Sequence, residues 1–404
     1  MPLRDAARAS LVSRNWRMLW TCHPNLCFDG TKQEPTDEGT LKINRWYFSK
    51  TVNHVVRRHK GIGLNKFSIN CDLNKDEFKH IDGKEDVYHF SLDALDAKHD
   101  PALESLFLAV VSIEYVKLVG DLPDLLSRCS LLEDLDISVC TGVGDLVIPC
   151  QLDKLQHLRI WGTEVQMIEF HVSCLTRFGY RGEAISIMLH GCPKSVKATI
   201  VFLELNQLDH VFTVLPSALP VKELSLDLHM YDYDLGQVHT LTRPRNMFMH
   251  LRHLKCEVYV LTSAPNTCKG VVQLAHYYVE FTPLLEVLEW HMYYYKKYKC
   301  RVRKTKVARE DYRLSRHDHL KTVYMSGFRC YRPQEELVYF ILENAVALEF
   351  MSIEPHTILA DDDHCDFSDI AEYKKIRKWA RRTSACFGKQ VQVKKKKLAQ
   401  YFTM

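Results

Sequence analysis

The sequence predicts an α/β solenoid with a parallel sheet on its concave face and helices outside, carrying a small α-helical module at its amino end. Three observations predict it. A short apolar motif, seen as Leu132-Glu133-Asp134-Leu135-Asp136-Ile137, recurs from about residue 64 to residue 353. The last positions of that motif alternate as in a strand, with Leu135 and Ile137 on one side and Asp134 and Asp136 on the other. Between copies lie amphipathic segments such as Gly120–Cys129, where Leu122, Leu125, Leu126 and Cys129 share a helical face. The apolar side of one strand needs a neighbour to cover it, so the copies have to stack.

The copies, in order, are Leu64-x-x-Phe67-x-Ile69, Leu103-x-x-Leu106-x-Leu108, the Leu132 copy, Leu155-x-x-Leu158-x-Ile160 and Leu175-x-x-Phe178-x-Tyr180. Val196-x-x-Thr199-x-Val201 is the weakest, and Val221-x-x-Leu224-x-Leu226, Leu251-x-x-Leu254-x-Cys256, Leu285-x-x-Leu288-x-Trp290, Leu320-x-x-Val323-x-Met325 and Leu348-x-x-Met351-x-Ile353 follow. From residue 103 onward the starting positions are separated by 29, 23, 20, 21, 25, 30, 34, 35 and 28 residues. A leucine-rich repeat has a period of about 20 to 29 residues. No Pro/Gly/Ser-rich linker interrupts 64–353, so one continuous body is expected.

Residues 1–30 are not repeat sequence. Ala6, Ala7, Ser10 and Leu11 can share a helical face, and Ser13 can cap a second helix carrying Trp16, Leu19 and Trp20. The string P-L-R-D-A-A-R-x-S-x-x-S-R-x-W-R-x-L-W-x-x-x-P-x-L-x-F-D resembles the later part of a plant F-box. With the repeats, the chain resembles plant F-box proteins that carry leucine-rich repeats and an FBD-like carboxy-terminal region; the text from His319 to Glu354 carries the FBD likeness. The resemblance implies a substrate receptor of an SCF-type cullin-RING ubiquitin ligase, bound through a Skp-type adaptor. It implies adaptor contacts at Pro2, Leu3, Ala6, Val12, Trp16, Leu19 and Trp20, although the two tryptophans equally suit packing of the module itself. A family F-box begins earlier, with a Leu-Pro-acidic segment and a first helix, so the motif here is expected to be partial. If it cannot engage the adaptor, the chain is a stand-alone repeat scaffold.

The expected organisation is a partial F-box over 1–30, a helical connector over 31–63, leucine-rich repeats over 64–319, FBD-like repeats with a capping helix over 320–390, and a basic tail over 391–404. The connector carries Trp46, Phe48, Val52, Val55 and Val56, and the run Arg57-Arg58-His59-Lys60-Gly61 reads as its stop signal. A helix from Pro333 to Asn344 sets Leu337, Phe340 and Ile341 on one face, and a last helix from Ile370 to Arg382 caps the stack.

Lys+Arg of 54 against Asp+Glu of 50 gives a net charge of +4, too slight for a general nucleic-acid or membrane binder. Fourteen scattered cysteines without a C-x-x-C pair suit packed, reduced thiols, hence cytoplasm or nucleus. No apolar run reaches the roughly 18 residues of a membrane span. The acidic run Asp361–Asp366 lacks the ligand spacing of a calcium or zinc site, and no nucleophile, phosphate-loop or zinc-protease motif occurs. No metal, cofactor or enzymatic role is therefore expected. The aromatic and basic stretch Tyr293–Lys306 suits either stacking with phosphate contact or a solvated loop, and Lys394–Lys397 either an import signal or a solvated tail.

Strand register supplies the candidate partner surface. The third, fifth and seventh motif positions face the concave side, giving Asp134, Asp136 and Ser138, then His157, Arg159 and Trp161, then Arg177, Gly179 and Arg181. Further on come Glu223, Ser225 and Asp227, then His253, Lys255 and Glu257. An exposed tryptophan beside arginines has the composition of an interface hot spot.

Overall fold

The computed structural model describes residues 20–30, 38–59, 64–71, 88–92, 108–148, 152–171, 174–183, 185–189, 196–202, 221–230, 248–260, 267–294, 316–355 and 368–394. The chain divides into two compact units, Met1–Val196 and Lys197–Met404. Where the repeats read as one continuous body, the division falls at the copy with the weakest pattern, the one starting at Val196.

In the first unit the described elements are β1 (Asn25–Asp29), α1 (Glu38–Arg58), β2 (Lys66–Asn70), β3 (His89–Ser91), β4 (Val110–Glu114), β5 (Lys117–Val119), α2 (Leu122–Ser127), β6 (Asp134–Ser138), β7 (Leu146–Ile148), β8 (His157–Trp161), β9 (Met167–Phe170), β10 (Arg177–Gly182) and β11 (Ser186–Leu189). Strands β1, β2, β4, β6, β8 and β10 form a parallel ladder in that order. Its inward side chains meet across the strands in two rows. Leu26, Phe67, Val111, Leu135, Leu158 and Phe178 form one, and Phe28, Ile69, Ile113, Ile137, Ile160 and Tyr180 the other. All are buried, each at roughly 2 kcal/mol of apolar transfer. Just before each strand a recurrent backbone bond adds to the ladder's own: Ala109 N–H to Asn65 O, Glu133 to Ala109, Gln156 to Glu133 and Thr176 to Gln156, each 2.8 Å.

Three features of this unit depart from the sequence expectation. The Leu103 copy is displaced: Leu108, Val111 and Ile113 fill the motif, because the β-branched run Val110–Ile113 is the better strand former. Leu103 and Leu106 lie outside the described residues. Residues Asn25–Asp29, expected to close the F-box-like segment, pair with β2 as the first of the ladder's described strands, so α1 joins two parallel strands. Val52 and Val56 anchor that helix in the core, while Trp46 is exposed. The returns were expected as helices; besides α1 and α2 those described in this unit are short strands, with β11, β9 and β7 in one small sheet and β3 paired to β5. Intervals of 20 to 23 residues leave too little chain for a helix of several turns.

The second unit holds β12 (Val196–Phe202), β13 (Val221–Met230), β14 (His253–Val260), α3 (Thr267–Phe281), β15 (Val287–Tyr294), β16 (Thr322–Phe328), α4 (Arg332–Asn344), β17 (Phe350–Pro355), α5 (Ser368–Phe387) and β18 (Val391–Val393). In β12 the inward residues are Val196, Ala198 and Ile200, with Thr199 exposed, so the weakest copy is one residue out of the expected register. A slip of one exchanges the faces. From β13 onward the expected register holds, and Leu224, Leu254, Leu288, Val323, Met351 and Val391 make one inward row. Here two of the longer intervals carry described helices, α3 between β14 and β15 and α4 between β16 and β17. Helices α3 and α4 pack through His276 on Phe340, with ring centres 4.4 Å apart, and Trp379 of α5 sits on Phe328 at 4.8 Å. Helix α5 does not end the stack, as the sequence suggested; β18 follows and pairs with β17.

Of the cysteines, Cys71, Cys129, Cys140 and Cys256 are buried, Cys174 and Cys330 are half-buried, and Cys22 is exposed. Burial pushes the Cys129 thiol up to about 12.

Candidate protein-interaction face

Because inward and outward positions alternate along a strand, burying Leu135, Ile137, Leu158, Ile160, Phe178 and Tyr180 obliges the residues between them to face the other way. On β6, β8 and β10 the parallel register arranges these outward residues as a grid. Asp134, His157 and Arg177 form one row, Asp136, Arg159 and Gly179 the next, and Ser138, Trp161 and Arg181 the third. All seven charged or aromatic residues proposed from the sequence for this face are therefore neighbours.

Their interactions run across the strands. The Asp134 carboxylate accepts a hydrogen bond from His157 Nδ1, and Asp136 accepts one from Arg159 while also taking Ser138 Oγ–H at 2.8 Å. The bond to Asp136 holds the Arg159 guanidinium above its usual pKa, against the opposing effect of burial, with the charges of Asp136 and Glu114 adding to it. Glu114, on the neighbouring β4, is itself tied to Asn70 at 3.0 Å and Ser112 at 3.3 Å. The acidic columns are thus largely engaged within the sheet. The indole of Trp161 lies under two guanidinium groups, Arg159 at 5.0 Å and Arg181 at 5.9 Å from its ring centre. Its Nε1–H is buried and has no hydrogen-bond acceptor among the described residues.

The outward face of the second unit is different in kind. Glu289 accepts from His253 Nε2 at 2.8 Å and lies 3.4 Å from His291 Nε2, and Ser326 Oγ is 2.9 Å from His291 Nδ1. The His253 hydrogen bond, then that of His291, holds the Glu289 carboxyl well below the usual range. Beyond this cluster three rings stack from strand to strand, His229 on Tyr259 at 4.9 Å and Tyr259 on Tyr293 at 4.8 Å. Sequence reasoning reached Glu223 to Glu257 and stopped at β14. The third, fifth and seventh positions of the Leu285 copy would have supplied Val287, Glu289 and His291 by the same rule.

Of the residues proposed for adaptor contact, Pro2, Leu3, Ala6, Val12, Trp16 and Leu19 lie outside the described residues, as do Asp361–Asp366 and most of the Tyr293–Lys306 stretch. Trp20 is half-buried and stacks on His54 of α1, with ring centres 6.3 Å apart and planes at 18°. No described helix is long and apolar enough to cross a membrane.

No curated protein matches the chain. A family model described as the At1g61320/AtMIF1 LRR domain matches residues 92–387, which is well over half of the 404 residues and takes in every strand from β4 to β17. Parallel strands at leucine-rich intervals and this match agree: the chain belongs to the At1g61320/AtMIF1 leucine-rich-repeat domain family.

Proposed function

We propose that this protein is a non-catalytic substrate-recognition subunit of an SCF-type cullin-RING ubiquitin ligase, working in the cytoplasm, the nucleus or both. In this reading the amino-terminal residues that resemble an F-box engage a Skp-type adaptor, and the outward face of β6, β8 and β10 captures a protein for ubiquitination. Leucine-rich-repeat domains generally act by binding partners rather than by catalysis. The observation that carries the reading is the grid, where Trp161 has Arg159 and Arg181 over its ring in the composition of an interface hot spot.

Affinity capture with the tagged full-length chain tests it. Adaptor and cullin should be recovered together with a third protein, the substrate. Trp161→Ala and Arg159→Glu should each remove the substrate while leaving adaptor, cullin and melting temperature unchanged. Undiminished capture by both variants would move the binding surface elsewhere. A second reading, a repeat scaffold outside any ligase, is favoured by the stacking of Trp20 on His54, which commits one motif tryptophan to packing. It predicts the third protein without the cullin.

A further inference from the structure

The net charge of +4 averages over one strongly one-sided stretch. Helix α5 carries Lys374, Lys375, Arg377, Lys378, Arg381 and Arg382, and no acidic residue stands among them. At 3.6 residues per turn the six fall within about 160° of arc. All are exposed, while Ile376, Ala380 and Thr383 are buried on the opposite side. Arg377 and Arg381 form one flank of this ridge, Lys375 and Arg382 the other, and Lys374 and Lys378 its crest.

A merely solvated face does not need such a composition. Lys374 and Lys378, Arg377 and Arg381, and Lys378 and Arg382 are like-charged pairs four residues apart, each of which weakens a helix. The exposed side of α4 shows the alternative, with Arg332 donating to Glu336 at 2.9 Å across the same spacing. On α5, Lys375 acts electrostatically on Glu335 of α4, and beyond that none of the six has a hydrogen bond or ion pair among the described residues. The helix thus gathers a charge that its own packing does not use.

The density of that charge says what it matches. From Lys374 to Arg382 the helix axis rises about 12 Å, which gives about one cation per 2 Å. Duplex DNA carries about one phosphate charge per 1.7 Å of its axis. An extended acidic peptide turns a side chain to one face only about every 6 to 7 Å. A helix lying on an anionic membrane inserts apolar side chains, whereas the apolar side of α5 faces the body and none of its residues is among the exposed large hydrophobics. The major groove of B-form DNA, about 12 Å wide, admits a helix, and that of an A-form RNA duplex does not.

We propose that α5 is a sequence-independent docking face for duplex DNA. Its two flanks meet phosphates of the two strands, and its crest lies over the groove between them. Neither the grid nor a ligase enters this inference.

The test uses the purified full chain and a dye-labelled DNA duplex of mixed sequence, read by fluorescence anisotropy. The dissociation constant should be about 10⁻⁴ to 10⁻⁶ M in physiological salt, and log affinity should fall linearly with log salt. Lys374→Gln, Lys378→Gln and Arg381→Gln combined should weaken binding about tenfold or more and reduce the salt slope by about 2 to 3. The melting temperature should be unchanged or raised, since like charges are removed. Arg57→Gln with Arg58→Gln, two exposed cations at the end of α1, should leave affinity and slope as they were. No measurable binding of the duplex at about 50 mM salt, which needs no variant to fold, would overturn the proposal. Equal binding by wild type and the triple variant would do the same, as would loss of binding only when Lys395, Lys396 and Lys397 of the tail are changed to Gln. Tighter binding of an RNA duplex of the same sequence, of a Glu-rich peptide or of phosphatidylserine-containing vesicles would give the face to another partner and overturn the assignment to DNA. No ligase component is present in this assay, so failure to recover a cullin from cells leaves the α5 face standing, and a recovered cullin with no DNA binding removes the α5 face alone.

Discussion

Gln334 is fully buried, and its amide holds the turn between β16 and α4. Its Oε1 accepts from the backbone N–H of Arg329 at 2.8 Å and of Tyr331 at 3.3 Å, and its Nε2 donates to the Gly327 carbonyl at 3.1 Å. Gly327 has φ 72°, at a register shift between β16 and β17, and a Cβ there would come within 2.0 Å of the Met292 carbonyl oxygen. Gly327→Ala should therefore cost roughly 3 kcal/mol, seen as a lower urea midpoint. Nothing in the text around Gly327 announced that bulge, since left-handed backbone leaves no periodic trace in a sequence. His276 gives a second prediction at this scale. Burial against Phe340 pushes its pKa down to about 4 from 6.5, so between those values the unfolded chain binds a proton that the folded chain refuses. Its contribution is fully present above 6.5 and is lost as the pH falls towards 4. Melting temperatures of wild type and His276→Phe should diverge across that window, with the variant the less sensitive to acid; parallel curves would remove His276 as the cause.

The strands show what the repeat pattern can and cannot reveal. Leu135 is buried in the ladder while Asp136, one residue on, is held at the outward face by Arg159. Leu135→Asp should destabilise the first unit by on the order of 4 kcal/mol, because a carboxylate enters the apolar row without a partner. Asp136→Asn should change stability by less than about 1 kcal/mol, as expected for a surface ion pair. Similar melting temperatures for the two would contradict the register. That register was legible because a period of two leaves an unmistakable trace wherever one face is buried, and the grid residues followed from it. It failed at Val196, where Val196, Ala198 and Ile200 alternate against Lys197, Thr199 and Val201, and the apolar Val201 fits the motif's last position in the wrong phase. The strand returns were not legible as strands, since pieces as short as Leu146–Ile148 carry no period of their own. Short helices betray themselves through caps instead. Asp121 accepts the Asp124 N–H at 3.2 Å at the start of α2, so Asp121→Ala should cost about 1 kcal/mol, measurable by urea titration.

A molecule built from stacked repeats distributes its stability by neighbourhood, each repeat depending on those it touches. Trp379 shows how the carboxy-terminal end is fastened: its ring lies on Phe328, and its Nε1–H donates to the Tyr339 hydroxyl at 2.9 Å. In Trp379→Ala, amide exchange should quicken in β16, β17, β18 and α4 and remain slow in β13 and β14; uniform acceleration would argue against local dependence. The repeat architecture could be read from the spacing alone, but the extra strands at Asn25 and Val391 could not, because neither carries a full motif. The last of these, β18, bears on how one molecule behaves towards the next. The final strand of a parallel ladder offers a row of backbone donors and acceptors on which another chain can polymerise. Here that row is only three residues long and is flanked by two ammonium groups. Lys389 is fastened to the carbonyls of Leu342 and Ala345, and Lys394 lies over the Tyr324 and Phe350 rings. Among the described strands β18 is the one at this edge, and the positive charges beside it disfavour the approach of a second, like-charged edge, so a short strand can discourage end-to-end addition of copies.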